Sequence, residues 1–216
     1  MTRAERRAIL ARYPDPSPLR RVYRRLRLAR GGYDAIEARV PSAGLVLDLG
    51  AGEGLLAHVL VARAPRRVVL AIDHDPRRAE RLARSARGLP IEARAADFAT
   101  CALPPCDAVL LVDVLHYLDR TSQERLLARA RDALRPGGLL LLRDPDAGAG
   151  LAFAWNRLHE RLFTILRVTK ASIGAYRTSA AWASLLGHLG FMDVEMPRRR
   201  PWSPYADRLV VARRAP

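Results

Sequence analysis

The sequence predicts one α/β domain over residues 1–216, with a mostly parallel sheet and helices on both of its faces. Strand-length apolar segments alternate with helix-like segments from residue 45 onward, and three closely spaced glycines follow the first apolar segment. Strands that alternate with helices form parallel sheets, because each crossover helix packs on a face of the sheet. A chain of 216 residues, half of them hydrophobic, is long enough to bury a core.

The first part of the alternation contains four strands. We predict these strands at 45–49, 67–72, 91–94 and 108–112, with helices at 55–64 and 75–86. Pro76 lies in the first turn of the second helix, where its missing N–H group costs little. Asp75 is expected to cap that helix, and His58 is expected to be a surface or packing residue rather than a member of a site.

The second part begins with a helix whose start is marked by Thr121 and Glu124, which match the spacing of a capping box. This helix is expected to run to about Leu134, and residues 136–138 (Pro-Gly-Gly) should end it before a strand at 139–142. Helices at 151–168 and 179–189 and a closing strand pair at 191–196 and 207–212 complete the prediction. Residues 144–178 therefore read as a helical cap inserted after the fifth strand.

Residues 1–40 are predicted to form an N-terminal helical extension. Leu19, Val22, Tyr23 and Leu26 recur at helical spacing with arginines between them, which indicates an amphipathic basic helix. We expect its apolar face to pack on the domain. The alternatives are a lid over the substrate and an interfacial helix at a membrane surface.

The net charge of +15 invites a nucleic-acid partner, but 36 of the 37 basic residues are arginine, which is typical of a GC-rich coding sequence. This skew weakens the argument from charge, and we favour other partners over a nucleic acid. Cys101 and Cys106 lack metal-ligand spacing, so no metal site is predicted. No apolar run approaches a membrane span and no signal peptide is evident, so a cytoplasmic location is expected.

The glycine loop over residues 50–54 has the spacing Gly-x-Gly-x-Gly, which differs from the Gly-x-Gly-x-x-Gly spacing of dinucleotide-binding folds. Glycines at a strand-to-helix turn let a ligand approach the backbone. Asp73 ends the second strand, where a carboxylate can accept hydrogen bonds from a ribose diol. Asp97 follows the third strand, where it can accept from an adenine amino group while the Phe98 N–H donates to a ring nitrogen.

This set of motifs resembles the class I methyltransferases that use S-adenosylmethionine (SAM). The matching segments are 46–54 (VLDLGAGEG), 71–73 (AID), 96–98 (ADF), 107–116 (DAVLLVDVLH) and 134–138 (LRPGG). The resemblance implies a Rossmann-like fold with a seven-stranded sheet whose last strand is antiparallel. It also implies SAM as cofactor and S-adenosyl-L-homocysteine as product. The cofactor-binding residues that we predict are Asp48, Gly50, Ala51, Gly52, Gly54, Asp73, His74, Asp97, Phe98 and Asp113.

The reactive end of the ligand should lie after the fourth strand, so the catalytic candidates are His116, Tyr117 and Arg143. A base helps when the acceptor is a phenol or an amine, and His116 is the strongest candidate because its position is nearest to the expected methyl group. A structural contact of His116 to the cofactor loop is the alternative. Asp144, His159 and Tyr176 are predicted to bind the substrate.

The C-terminal half is similar to small methyltransferases of aryl-polyene and xanthomonadin-type pigment pathways. The resemblance is carried by segments 143–146 (RDPD), 155–162, 176–182 (YRTSAAW) and 203–207 (SPYAD). It implies an aromatic, phenolic or polyketide-like metabolite as acceptor, carried in some cases on an acyl carrier protein. The basic surface of this chain suits docking to an acidic carrier.

Three other functions remain open from the sequence. A lipid head-group methyltransferase would use the same cofactor site and contact a membrane surface through the helix near residues 19–26. An RNA methyltransferase would bind RNA in a salt-sensitive way, although no Asn/Asp-Pro-Pro-Tyr-like stretch follows the fourth strand. A regulatory subunit would bind SAM without turnover.

Overall fold

The computed structural model describes residues 1–14, 17–154, 174–197 and 206–216. Its strands form a seven-stranded sheet with the order β3-β2-β1-β4-β5-β7-β6. The strands are β1 (Ala43–Leu49), β2 (Arg66–Asp73), β3 (Ile91–Ala95), β4 (Cys106–Val112), β5 (Leu134–Pro145), β6 (Phe191–Glu195) and β7 (Asp207–Arg214). This confirms the predicted seven-stranded, mostly parallel sheet of the Rossmann-like methyltransferase fold.

Seven α-helices lie within the described ranges. They are α1 (Arg3–Ala11), α2 (Pro18–Arg30), α3 (Tyr33–Glu37), α4 (Leu55–Arg63), α5 (Pro76–Ser85), α6 (Arg120–Ala133) and α7 (Ser179–His188). A single 3-10 turn covers Leu115–Tyr117. The first three helices form the predicted N-terminal extension, and residues 151–154 are helical at the start of the predicted cap helix. The remainder of that predicted helix lies outside the described residues.

The contacts divide the chain into two compact units. The first comprises Met1–Ala102 with Cys106–Val109, and the second comprises Leu103–Pro105 with Leu110–Pro216. In the first unit, β2 pairs in parallel with β1 and with β3. Helix α4 contacts β2, and residues 55–61 are buried all round the helix. A helix that is apolar on every side is typical of a core position.

In the second unit, β7 pairs antiparallel with both β5 and β6. The last strand is therefore antiparallel, as the resemblance implied. Helix α6 packs against β5, and α7 packs against β6 and β7. Residues 139–142 of β5 are buried leucines, which is typical of a strand covered on both faces.

Two predicted details around α6 are wrong. The N-cap of α6 is Asp119, whose carboxylate accepts from the Ser122 N–H at 2.8 Å, and not Thr121. Aspartate is among the strongest N-cap residues. Glu124 does not complete a capping box with Thr121, because its carboxylate pairs with Arg177 at 2.7 Å. The helix ends at Ala133, within one residue of the predicted end, but β5 begins at Leu134 instead of residue 139. Arg135 precedes proline, which favours extended over helical backbone at that position.

The orientation of α2 also differs from the expectation. Its apolar stripe faces solvent, with exposed fractions of 69% for Leu19, 50% for Val22 and 47% for Leu26. The buried side chains of α2 are Arg24 and Leu28. The apolar face therefore does not pack on the domain, because an ion pair of Arg24, described below, holds the opposite face of the helix inward.

Candidate functional site

The glycine loop connects β1 to α4 through three left-handed residues. Gly50, Gly52 and Gly54 have φ values of 77°, 60° and 75°, which side chains with a Cβ rarely adopt. The N–H groups of Gly50 and Ala51 both donate to the Ile72 carbonyl, at 2.8 and 3.0 Å. The N–H groups of Gly50 and Ala51 therefore attach the loop to β2. A Cβ on Gly52 would meet no atom within 4 Å, so the space beside this residue is open. A ligand can therefore approach the loop backbone closely.

Asp48 lies at the end of β1, directly before the loop, and its side chain is 2% exposed. Its Oδ2 atom is buried and has no hydrogen-bond partner among the described residues. Burial, together with the nearby charge of Asp73, raises the pKa of Asp48 to about 7. A buried carboxyl group without a partner is costly, so this position is suited to a positively charged ligand group.

Asp73 ends β2 and is joined to the loop. Its Oδ2 accepts from the Gly52 N–H at 2.7 Å, and its Oδ1 accepts from the Asp75 N–H at 2.9 Å. The two oxygens of a carboxylate offer about four acceptor sites, so Asp73 keeps capacity for a ligand diol. Asp75 caps α5 by accepting from the Arg77 N–H, which confirms the capping role that the sequence predicted.

The other predicted cofactor residues of this unit lie after β2 and β3. His74 is exposed, next to Asp73. The carboxylate of Asp97 is exposed and accepts from the Ala99 N–H at 2.9 Å and from the Thr100 hydroxyl at 3.2 Å. The Phe98 ring beside it is buried. Asp97 therefore stabilises the turn after β3 while remaining accessible.

These residues fit the cofactor that the resemblance implies. SAM carries a positive sulfonium and an ammonium group, and Oδ2 of the buried Asp48 has no hydrogen-bond partner among the described residues. Its ribose carries a diol, for which Asp73 has acceptor capacity. The open space beside Gly52 leaves room for a ligand close to the backbone.

A set of residues around Glu53 was missed from the sequence. Arg24 on α2 donates from Nε to the Glu53 carboxylate at 2.6 Å, and Arg81 on α5 donates to its other oxygen at 2.7 Å. Tyr13 donates from its hydroxyl to the Glu53 carbonyl at 2.8 Å, and the Arg24 guanidinium stacks 4.6 Å from the centre of the Tyr13 ring. The N-terminal extension therefore supports the glycine loop.

His58 on α4 also contacts the glycine loop. Its Nδ1 lies 2.8 Å from the Gly54 carbonyl, and its Nε2 lies 3.2 Å from the Ser85 carbonyl. Burial lowers its pKa. The sequence predicts a surface or packing histidine at position 58, and the burial of His58 shows that it is a packing residue. The sequence signal for the whole set is weak, because Arg24 is one of six arginines on α2.

In the second unit, the predicted residues Asp113 and Arg143 pair with each other. Arg143 donates from Nε to Oδ1 of Asp113 at 2.8 Å and from its terminal nitrogen to Oδ2. The Asp113 N–H also donates to the Arg143 carbonyl at 2.8 Å, and Asp113 has a positive φ of 58°. A two-point ion pair plus a backbone bond fixes the segment that leads from β4 to His116.

His116 and Asp144 form a buried pair. The Nδ1 atom of His116 lies 2.6 Å from Oδ1 of Asp144, and the two residues are 2% and 1% exposed. Burial raises the pKa of Asp144 to about 6, and the adjacent imidazole opposes that rise. When ionised, Asp144 accepts from Nδ1–H of His116, which leaves Nε2 as the ring nitrogen that can accept a proton. This is the arrangement of an oriented general base.

Aromatic side chains surround the imidazole of His116. Tyr176 stacks parallel to it, with ring centres 5.7 Å apart and planes 6° apart. Tyr117 lies on it at 4.1 Å with a tilt of 47°, and Phe153 meets Tyr176 edge to face at 4.9 Å. Four of the residues predicted from the sequence, namely His116, Tyr117, Asp144 and Tyr176, thus form one group, called here the His116 cluster. The predicted substrate residue His159 lies outside the described residues.

The sequence also gave no sign of Gln123 as the residue that joins the two chain segments of the His116 cluster. Gln123 is fully buried and donates to the Leu115 and Ala175 carbonyls at 3.0 and 2.7 Å. Its own oxygen accepts from Arg177 at 2.8 Å. Gly174 closes the junction by donating to the His116 carbonyl at 2.9 Å, and a Cβ there would lie 2.3 Å from the Leu118 carbonyl oxygen. Only glycine fits at position 174.

Comparisons with known proteins agree with this geometry. Residues 46–138 match the family model described as a methyltransferase domain. Acetylserotonin O-methyltransferase from Mus musculus is 32% identical over 171 residues, which are 74% of this chain and 42% of that protein. Trans-aconitate 2-methyltransferase from Methylobacterium nodulans is 38% identical over 113 residues, which are 50% of this chain and 42% of that protein. The chain thus spans less than half the length of these curated relatives.

Solved structures show the same fold. The mitomycin 7-O-methyltransferase MmcR superposes with a TM-score of 0.69 at 24% identity, over 94% of this chain and 59% of that one. Human N-acetylserotonin methyltransferase in complex with SAM superposes with a TM-score of 0.64 at 21% identity, over 98% of this chain and 56% of that one. Residues 46–138 are therefore similar to a methyltransferase domain, and the chain has the Rossmann-like fold of these solved methyltransferases.

Proposed function

We propose that this chain is a SAM-dependent methyltransferase that methylates an oxygen atom of an aromatic, phenolic or polyketide-like small molecule. The observation that carries the proposal is the buried pair of His116 and Asp144 in an aromatic surrounding. The similarity of residues 46–138 to a methyltransferase domain supports the reaction class, and the relatives named as O-methyltransferases support oxygen as the accepting atom.

On the cofactor side, the proposal assigns three tasks to the glycine-loop cluster of Asp48, residues 50–54 and Asp73. The Asp48 carboxylate balances positive charge on the ligand, Asp73 accepts from the ribose diol, and the open side of Gly52 admits the ligand to the backbone. SAM, when bound, supplies a methyl group on a positively charged sulfur, and S-adenosyl-L-homocysteine remains after its transfer.

On the acceptor side, His116 acts as the general base. Asp144 holds Nδ1–H, so Nε2 accepts the proton of the acceptor hydroxyl as the new oxygen–carbon bond forms. The carboxylate then stabilises the imidazolium that results. Much of the remaining acceleration comes from holding the acceptor at attack distance, because methyl transfer is an in-line displacement.

The acceptor class rests on the surroundings of the base. Tyr117, Tyr176 and Phe153 present aromatic surfaces, which favour a planar aromatic ring over a charged or highly polar acceptor. The resemblance of the C-terminal half to pigment-pathway methyltransferases, which rests on the sequence alone, favours the same acceptor class. It also raises the carrier-bound form of such an acceptor as the substrate, with an acidic acyl carrier protein as partner.

The experiment is a methyl-transfer assay with labelled SAM and a panel of hydroxybenzoyl-type acceptors, offered free and on an acyl carrier protein. We expect labelling of the phenolic oxygen and loss of that labelling in Asp144→Asn. The matched control is His188→Gln, an exposed histidine of α7. If neither the free nor the carrier-bound acceptors are labelled, the proposed acceptor class is wrong. Calorimetric SAM binding without turnover on any acceptor would instead favour a regulatory SAM-binding subunit.

A further inference from the structure

The solvent-facing side of α2 carries an unusual combination of side chains. Leu19, Val22, Tyr23 and Leu26 form an exposed stripe at helical spacing, called here the α2 stripe, with exposed fractions between 38% and 69%. Every charged residue of α2 is an arginine, and its sequence PLRRVYRRLRLAR contains no acid. An apolar stripe in a purely basic helix is typical of helices that lie in a membrane interface.

A groove beside the α2 stripe gathers further arginines. It lies between α1 and α2 and has a volume of about 530 Å³. Its lining residues are Arg3, Arg6, Arg7, Leu10, Ala11, Arg25 and Ala29. None of these four arginines has a carboxylate within ion-pair distance in the part of the chain that the structure describes. The arginines of the groove are therefore available to an anion.

The stripe and the groove are continuous around α2. Val22 and Leu26 are three residues before Arg25 and Ala29 respectively, and residues at this spacing are neighbours on a helix surface. One face of the N-terminal extension thus offers aliphatic side chains along one edge and guanidinium groups along the other. A ligand that matches this face must supply hydrocarbon and phosphate side by side.

We propose that this face binds the surface of an anionic phospholipid bilayer. The α2 stripe enters the boundary between head groups and acyl chains, and the arginines of the groove bind lipid phosphates with two-point hydrogen bonds. Helix α2 has 13 residues and lies on the bilayer, since none of the described helices is long and apolar enough to cross one. Stable binding to a bilayer surface needs two contributions. Here the α2 stripe contributes apolar insertion, and the arginines of the groove contribute attraction to the lipid phosphates.

Other occupants match the face less well. A nucleic acid would pair with the guanidinium groups but leave the aliphatic stripe without a partner. A second copy of this chain would meet itself across a two-fold axis, which brings arginine against arginine. An acidic protein offers negative charge, but a bilayer supplies phosphate and hydrocarbon together along the full length of α2.

The test is co-sedimentation of the full chain with vesicles of phosphatidylglycerol mixed with phosphatidylcholine, and with vesicles of phosphatidylcholine alone. We expect binding to the anionic vesicles, little binding to the neutral ones, and weaker binding at high salt. Val22→Ser/Leu26→Ser should weaken binding at least about tenfold, because it removes the inserted groups. Met192→Ser is the matched control, since Met192 has the same exposed fraction as Leu26, 47%.

The charge contribution is tested separately. Arg7→Gln/Arg25→Gln removes two charges from the groove, whereas Arg66→Gln/Arg77→Gln removes two exposed charges elsewhere. Only the first pair should weaken vesicle binding strongly. All variants should keep the unfolding temperature of the wild type, because the changed side chains are exposed.

Three results would overturn the proposal. The first is no binding to anionic vesicles by the wild type. The second is equal binding by the α2 stripe variant and the Met192 control. The third is that the stripe variant loses self-association, or loses binding to an acidic carrier protein, while vesicle binding stays unchanged.

Discussion

The glycine-loop cluster and the His116 cluster are built in different ways. In the glycine-loop cluster, the contacts run between backbone groups and carboxylates, and Asp48 is left with an uncompensated buried oxygen. In the His116 cluster, the contacts run between side chains, with His116 held by Asp144 and flanked by Tyr117 and Tyr176, and the second oxygen of Asp144 is buried without a hydrogen-bond partner among the described residues. The first arrangement is suited to binding a cation-bearing ligand, and the second is suited to moving a proton. Changes in the two clusters should therefore separate affinity from turnover.

The largest effect is expected for Asp144→Asn. An asparagine amide can donate to Nδ1 of His116, which moves the ring proton to Nε2 and removes the base. We expect kcat to fall by about 10³-fold, within the range for loss of a general base. In the wild type, activity should be lost as the pH falls through about 6, where Asp144 takes up a proton. A pH–rate profile and kcat measurements check both points, and an unchanged kcat in the variant would reject the base assignment.

The next effect concerns the pH dependence of SAM affinity. The pKa of Asp48 is about 7 without ligand, and a bound cation lowers it, so binding below pH 7 releases a proton. Affinity should weaken about tenfold for each pH unit below 7 and level off above it. Calorimetry between pH 6 and pH 8 measures this change, and Asp48→Asn should flatten the profile. An equally steep profile in that variant would assign the dependence to another group.

The raised pKa of Asp48 also makes the stability of the ligand-free protein depend on pH. The folded protein keeps the Asp48 proton up to about pH 7, whereas the unfolded chain loses it near pH 4. The contribution of Asp48 to the free energy of unfolding therefore falls as the pH rises across this range. Chemical denaturation of the wild type and Asp48→Asn at several pH values shows whether the difference has this sign.

A smaller effect is expected at Asp73. Removing a charge-involved hydrogen bond to the ribose in Asp73→Ala should weaken SAM binding by at least ~1.5 kcal/mol. Asp75→Ala is the matched control, because Asp75 caps α5. It should lower the free energy of unfolding by about 1 kcal/mol and leave SAM affinity unchanged. Unchanged affinity in Asp73→Ala, measured by calorimetry, would refute the ribose assignment.

The smallest effect on affinity is expected at Arg24. Arg24→Ala removes one of the two guanidinium groups on Glu53, and Arg81 remains, so SAM affinity should fall only a few-fold, about 3-fold. Because Arg24 is buried, the free energy of unfolding should fall more clearly, by about 3 kcal/mol. Arg21→Ala, an exposed arginine on the same helix, is the control. If both variants bind SAM and unfold alike, α2 does not support the loop.

The two clusters also differ in how far the sequence predicts them. The glycine loop, Asp73 and Asp97 each lie directly after a predicted strand. Their positions can therefore be predicted from the local sequence pattern alone. The pairing of His116 with Asp144 joins residues 28 apart, and Gln123 joins the two chain segments by donating to the carbonyls of Leu115 and Ala175. Candidate residues were therefore predicted, but their partners depend on tertiary contacts that no spacing encodes.

Helix α2 shows why one expectation failed. The 3.6-residue pattern of α2 correctly predicts an amphipathic helix, but such a pattern does not predict which face of the helix is buried. The Glu53 carboxylate in the glycine loop binds Arg24 at 2.6 Å, and the face that carries Arg24 and Leu28 is the one that the fold buries. The N-cap of α6 was misplaced for a similar reason, since Glu124 pairs with Arg177 instead of closing a capping box.

The most direct test of the account is to measure kcat and the SAM dissociation constant of His116→Ala side by side. If His116 is the base, kcat should fall at least about 10²-fold while the dissociation constant stays close to that of the wild type, because a base acts in the reaction and not in cofactor binding. An equal loss in both quantities would contradict the account and would assign His116 a structural role.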